Sequence, residues 1–372
     1  RGDVMNKIFK EFTFGHGAKL KNRLVLAPMT TYSSNDDLTL SKEEEVYYKS
    51  RSKGMGMVIT AATAVNKNAQ AFENQITARD ARYLDSMKRL SRAIKSEGAL
   101  SILQLHHGGR MNVPGLYPNQ DIVCPSSVKA NRDYAVKPRE LKTSEVYDII
   151  DDFVRSAKIA INAGFDGIEL HGANTYLLQQ FFSPNSNQRN DEFGGSLEKR
   201  MNFSLILIKR MLELKKKYAK KEFIIGYRFS PEEIENPGIT LDDTLKFVDE
   251  LASKDIDYLH ISLGNFKATS IRDKTDKQLI VEKLHNVINN RVPLIGVGHL
   301  ESLSDLEEAM ALGYDMLALG LIALSDKNVI ENLMNNKEPN KTFRREDLLP
   351  TQMYNRLENW GSGLKDRGYT FE

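Results

Sequence analysis

Cysteine is nearly missing from this 372-residue chain: Cys124 is the only one. A single thiol excludes an intrachain disulfide and any cysteine-ligated iron–sulfur cluster. No apolar run approaches the roughly 18 residues of a membrane-crossing helix. Excess charge is missing too, since 52 Lys+Arg stand against 50 Asp+Glu. That balance gives no electrostatic reason to expect nucleic acid or an anionic membrane as partner. No G-x-G-x-x-G follows a strand pattern and no Walker A sequence occurs; Gly54-Met55-Gly56 lacks the third glycine. Low-complexity segments and solenoid-length repeats are absent as well. The chain shows no apolar signal stretch near its start, and with its cysteine usage this points to a cytoplasmic, reducing location.

What the chain does have is alternation. Short apolar runs take turns with amphipathic helical stretches, the pattern of βαβ units and a parallel sheet. The runs are Leu24–Ala27, Met57–Ala62, Leu100–Leu105, Gly167–Leu170, Phe223–Phe229, Tyr258–Ser262, Leu294–Val297 and Met316–Leu319. Helices are expected from about Lys42, with Ser41 and Glu44 spaced as a capping box, and over Asp80–Ser96, Ser144–Ala163 and Leu197–Tyr218. Thr240 with Asp243, and Ser304 with Glu307, read as further helix starts. Eight strands in eight slots make an α/β protein, a (β/α)8 TIM barrel. The expected layout is a single domain, 1–372, with the barrel over about 22–335 and a C-terminal extension over about 336–372. The extension, with Tyr354 and Trp360, is expected to pack on the barrel or on a neighbouring subunit, which leaves a homo-oligomer open. A long irregular stretch after the third strand, Met111–Lys142, holds four of the eleven prolines. A loop of that length is usually functional.

Function in such barrels sits at the C-terminal ends of the strands. Those ends are Thr30 and Tyr32, Ala62, Gln104, His171 and Asn174, Arg228, Gly298 and Gly320. His171 and Asn174, three apart where strand four gives way to a turn, can aim two hydrogen-bond donors at one ligand oxygen. Tyr176 adds a phenolic proton. Spacing alone leaves a second reading open, a core histidine beside an asparagine that caps the next helix. His106 and His107 lack a third partner at ligand spacing, so no metal site is assigned.

The run His171-Gly172-Ala173-Asn174-Thr175-Tyr176, then Gln180-Phe181-Phe182-Ser183-Pro184, Asn187, Arg189, Asp191-Glu192-Phe193-Gly194-Gly195-Ser196 and Arg200, closely resembles the old yellow enzyme family in its short form. That resemblance extends from about Asn22 to Lys327. It implies a flavin-dependent ene-reductase or NADH oxidase with FMN as cofactor and NADH or NADPH as reductant. By the same resemblance Pro28, Met29, Thr30, Ala62, Gln104, Arg228, Gly298 and Gly320 cradle FMN. Gln104 would supply a donor and an acceptor to the pyrimidine edge, and Arg228 would face the N1–C2 edge, where negative charge grows on reduction. Hydride would pass from the nicotinamide through flavin N5 to a small enone-type substrate. His171 and Asn174 would hold the carbonyl oxygen, Tyr32 would lie near the substrate, and Tyr176 would protonate the α-carbon. With no second nucleotide motif, the nicotinamide and the oxidant would take turns on one face. Two departures stand out. Met111 occupies a position where many relatives carry lysine, and Leu321 follows Gly320 where relatives carry an arginine that grips the FMN phosphate. Arg272 is a remote substitute. Leu321 motivates the alternative of a flavin-free barrel acting as a lyase, isomerase or binding protein.

Overall fold

The structure is a computed structural model and describes residues 2–372. Eight parallel strands close on themselves: β1 (Leu24–Leu26), β2 (Met57–Ile59), β3 (Leu100–His106), β4 (Gly167–Gly172), β5 (Ile224–Phe229), β6 (Tyr258–Ile261), β7 (Leu294–Gly296) and β8 (Met316–Leu319). Each pairs with the next, and β8 returns to β1 with Ala318 opposite Val25, so no strand edge is left open. Every run expected from the sequence is one of these strands.

Helices flank the strands: α1 (Lys42–Ser52), α2 (Leu84–Lys95), α3 (Thr143–Asn162), α4 (Leu197–Tyr218), α5 (Leu241–Ala252), α6 (Ile280–Ile288), α7 (Leu303–Ala311) and α8 (Val329–Met334). The capping box of Ser41 and Glu44 starts α1, and Thr240 caps α5 through the Asp243 N–H. The expected start of α7 at Ser304 is displaced. Ser302 accepts from the Asp305 N–H instead, because the serine–aspartate pair two residues earlier offers the same chemistry. α6 has no counterpart in the sequence reading. The long stretch after β3 is largely irregular, with short pairs at Val123–Cys124 and Arg139–Glu140. Cys124 is buried there, and burial pushes its thiol up to about 12.

Side chains alternate between two cores. Ile168 and Leu170, Ile225, Tyr227 and Phe229, and Leu259 and Ile261 face the helices. Val25, Met57, Ile59, Ile102, Ile224, Ile295 and Met316 fill the barrel's lower interior, where Phe14 and Leu20 of an N-terminal hairpin plug it. The inward register continues upward as Gln104 and His106 on β3, Glu169 and His171 on β4, Arg228 on β5 and His260 on β6. An apolar floor therefore carries a polar upper layer. The C-terminal segment packs on the barrel, with Met353, Tyr354 and Leu357 buried, and Thr351 donating to Glu43 of α1. No helix among the described residues is long and apolar enough to cross a membrane.

Candidate active site

The polar layer is built around Glu169, which has no exposed surface. Its carboxylate accepts from Gln104 Nε2 at 2.7 Å, Tyr258 Oη at 3.0 Å and His260 Nδ1 at 2.8 Å. Burial pushes the carboxyl up, but His260, Arg228 and the Gln104 hydrogen bond outweigh it and hold Glu169 below its ordinary value. The Tyr258 ring can reach it only because residue 226 is glycine. A Cβ there would lie 2.1 Å from the ring.

Above Glu169 on the same strand, His171 is buried and held well below its usual pKa by desolvation, with His106, Arg228 and His260 adding to the effect. Its Nδ1 accepts the Ala173 N–H at 3.4 Å, which puts the ring proton of the neutral form on Nε2, a donor. The chain then turns sharply, with Asn174 and Thr175 both left-handed at φ 60° and 74°. For β-branched Thr175 that conformation is strained. The Asn174 backbone N–H donates to Ser230 Oγ at 2.9 Å, and its side-chain oxygen accepts from Ser262 Oγ at 2.6 Å. Its amide nitrogen is the end left to serve a ligand. Tyr176 folds the other way, against His106 at 4.5 Å, His171 at 5.3 Å and Phe72 at 5.9 Å between ring centroids. Burial raises its pKa, so the hydroxyl keeps its proton through neutral pH. His106 accepts from Gln75 Nε2 at 3.1 Å, and burial pushes both His106 and His107 down to about 3.

Beside this layer opens a cleft of about 750 Å³, lined by Pro28, Met29, Thr30, Tyr32, Arg228, Gly320 and Leu321, and by Met353, Arg356 and Trp360 of the C-terminal segment. Arg228 is buried, and its Nε has no partner among the described residues. Its place in the lining of the cleft makes that donor available to a bound ligand. Arg356 lies 3.7 Å over the Tyr32 ring and pairs with Glu73 at 3.0 Å. A second cavity of about 600 Å³, lined by Lys19, Lys95, Asp166 and Lys220, lies at the opposite end of the barrel, where TIM barrels carry stability rather than chemistry.

His171 and Tyr176 thus share one aromatic cluster, whereas Asn174 is tied to the ends of β5 and β6. Pro28, Met29, Thr30, Tyr32, Arg228 and Gly320 meet in the cleft. Ala62 is buried and its carbonyl accepts from Gln75. Gly298 is left-handed at φ 104°, and a Cβ there would lie 2.4 Å from the Leu263 carbonyl oxygen. Gln104 gives one of its two amide N–H groups to Glu169, which leaves the other N–H and the side-chain oxygen for a ligand. Arg272 does not line this cleft, and its Nη1 donates to the Glu233 and Glu235 backbone carbonyls. Glu169, Tyr258, His260 and Arg356 went unread in the sequence. A glutamate inside a buried apolar run was the available signal for the first.

A sequence model described as the NADH:flavin oxidoreductase / NADH oxidase family matches residues 7–340. The chain belongs to that family. It is 42% identical over 321 residues to the "Probable NADH-dependent flavin oxidoreductase YqiG" of Bacillus subtilis, covering 86% of each protein. It is 41% identical over 317 residues to the NADH:fumarate oxidoreductase of Klebsiella pneumoniae, covering 84% of this chain. The chain spans only 34% of that larger protein, whose named substrate belongs to the whole. Among solved structures, an old yellow enzyme homologue from Zymomonas mobilis superposes with a TM-score of 0.78 over 92% of this chain and 96% of that one, at 22% identity, a likeness of fold. As a member of this family, which includes the old yellow enzymes, the chain is an FMN-dependent, nicotinamide-linked oxidoreductase.

Proposed function

We propose that this flavin oxidoreductase reduces the activated C=C bond of α,β-unsaturated carbonyl compounds. The observation that carries the reading is the set at the end of β4: a neutral histidine donor, an asparagine amide and a protonated tyrosine beside a cleft lined by Arg228, whose Nε is buried without a partner among the described residues. Arg228 and the acceptor end of Gln104 would hold the polar ring edge of FMN. Pro28, Met29, Thr30, Ala62, Gly298 and Gly320 would line its bed. When bound, FMN supplies the hydride, drawn from NADH or NADPH, that reaches the β-carbon.

The chain's own residues do the rest. His171 Nε2–H and the Asn174 amide hold the substrate carbonyl oxygen, which polarises the alkene and stabilises the negative charge that develops there. Loss of one such donor lowers the rate by about 10²–10³. The Tyr176 phenol hands its proton to the α-carbon as general acid, and the His106, His171 and Phe72 rings fix its position. Tyr32 borders the substrate, and the Tyr176 ring helps to exclude water from it.

Tyr176→Phe tests this assignment, because only one half-reaction needs the phenolic proton. Stopped-flow traces should show reoxidation by cyclohexenone slowed by about 10²–10⁴, with reduction by NADH nearly intact. Equal slowing of both would remove Tyr176 from the acid's role.

A further inference from the structure

Glu169 is used by no step above, and yet it is a charged side chain at the centre of a barrel. An apolar residue would fill that layer without the desolvation cost of a carboxylate. The structure instead surrounds it with three donors from three other side chains, Gln104, Tyr258 and His260. Strand register shows what lies above. Glu169 stands opposite Gly226, and the next inward position pairs His171 with Arg228. Arg228 in turn stands opposite His260, the residue that donates to Glu169. His260 thus bonds the carboxylate from the strand position paired with Arg228, and its own Nε2 is buried without a partner among the described residues.

We propose that Glu169 is a positioning residue that sets the charge at the cofactor's polar ring edge, a role that rests on the FMN reading given above. Arg228 is the cation at that edge, and Glu169 is its buried counter-ion. Together they present almost no net charge, so the site holds oxidised FMN without strongly favouring the two-electron-reduced form, which carries added negative charge. The donors around Glu169 keep the anion in place. Gln104 is held in orientation by the same contact, its amide nitrogen bound below and its carbonyl end left for the cofactor.

The test is the midpoint potential of the bound flavin, read by dye equilibration in the intact protein. Glu169→Gln keeps the shape and removes the charge, so Arg228 is left uncompensated. The affinity ratio for reduced over oxidised FMN should rise on the order of tenfold, a potential about 30 mV more positive. Tyr258→Phe covers the case in which Glu169→Gln fails to fold. It removes one donor from the carboxylate, exposes more of its negative field, and should shift the ratio the opposite way by about two- to threefold. Opposite signs from two changes at one cluster would not follow from loosened packing. A wild type with a measurable potential, together with variants that leave it unmoved or move it in one direction, overturns this proposal alone. A wild type that takes up no FMN overturns the cofactor reading and this proposal with it.

Discussion

Acidification from pH 7 to pH 5 should remove about 4 kcal/mol of folding stability through two buried rings, His106 and His107. Burial pushes both from 6.5 down to about 3, with His107 adding to the effect on His106. In the unfolded chain each ring titrates near 6.5. The unfolded state therefore binds protons that the fold refuses, so stability is full above about 6.5 and falls as pH drops toward 3. Between pH 7 and 5 the loss is about 2 kcal/mol per ring, against a total that seldom exceeds about 15 kcal/mol. His171, His260 and His299 shift in the same direction, whereas burial raises Glu44 and Asp315 and opposes the trend. A single-site comparison removes those contributions. His107→Asn keeps an acceptor for the Gly109 N–H, which the ring accepts at 3.0 Å, and removes one titrating group. Urea unfolding followed by far-ultraviolet circular dichroism, without added flavin, should show the variant losing about 2 kcal/mol less than wild type between pH 7 and 5. Parallel curves for the two proteins would mean that His107 charges equally in both states, and would refute the reasoning.

Leu321→Arg should tighten FMN by about 10- to 100-fold and leave riboflavin unchanged, because only the phosphate gains charge-assisted hydrogen bonds. Titration of both ligands decides, and equal gains would mean that residue 321 does not face the phosphate. Tyr258→Phe, tested for stability, should cost about 1.5–3 kcal/mol in the apoprotein by removing a donor to a buried carboxylate. An unchanged urea midpoint would show that the Tyr258 hydroxyl contributes no net stability through Glu169. Asn174→Ala should slow enone reduction by about 10²–10³ at saturating substrate while NADH still reduces the flavin at its normal rate, read in separate half-reactions.

The eight strands were legible because each is a short buried run set between helices of ordinary length, and the helix Leu197–Tyr218 was readable to the residue. The start of α7 slipped by two positions because Ser302 and Ser304 both offer a hydroxyl ahead of an acidic residue. Strand-end positions were legible at Thr30, His171 and Arg228, since barrel topology brings those ends together. What the polar groups bind was not. Glu169 looks in sequence like one position of an apolar strand, and only the inward register over three strands assembles Gln104, Tyr258 and His260 around it. The approach of Arg356 to Tyr32 is a contact between the two ends of the chain, which no local pattern encodes. The bonds from Arg272 Nη1 to the Glu233 and Glu235 carbonyls likewise join two separate loops.

The central claim is that electrons pass from a nicotinamide through bound FMN to an activated alkene, and one anaerobic spectrum tests it. Protein saturated with FMN should lose its visible flavin absorbance on addition of NADH or NADPH and regain it when cyclohexenone is added, while cyclohexanone leaves it bleached. Failure to take up flavin at micromolar FMN, or a bleached protein that cyclohexenone and a maleimide both leave colourless, would contradict the account.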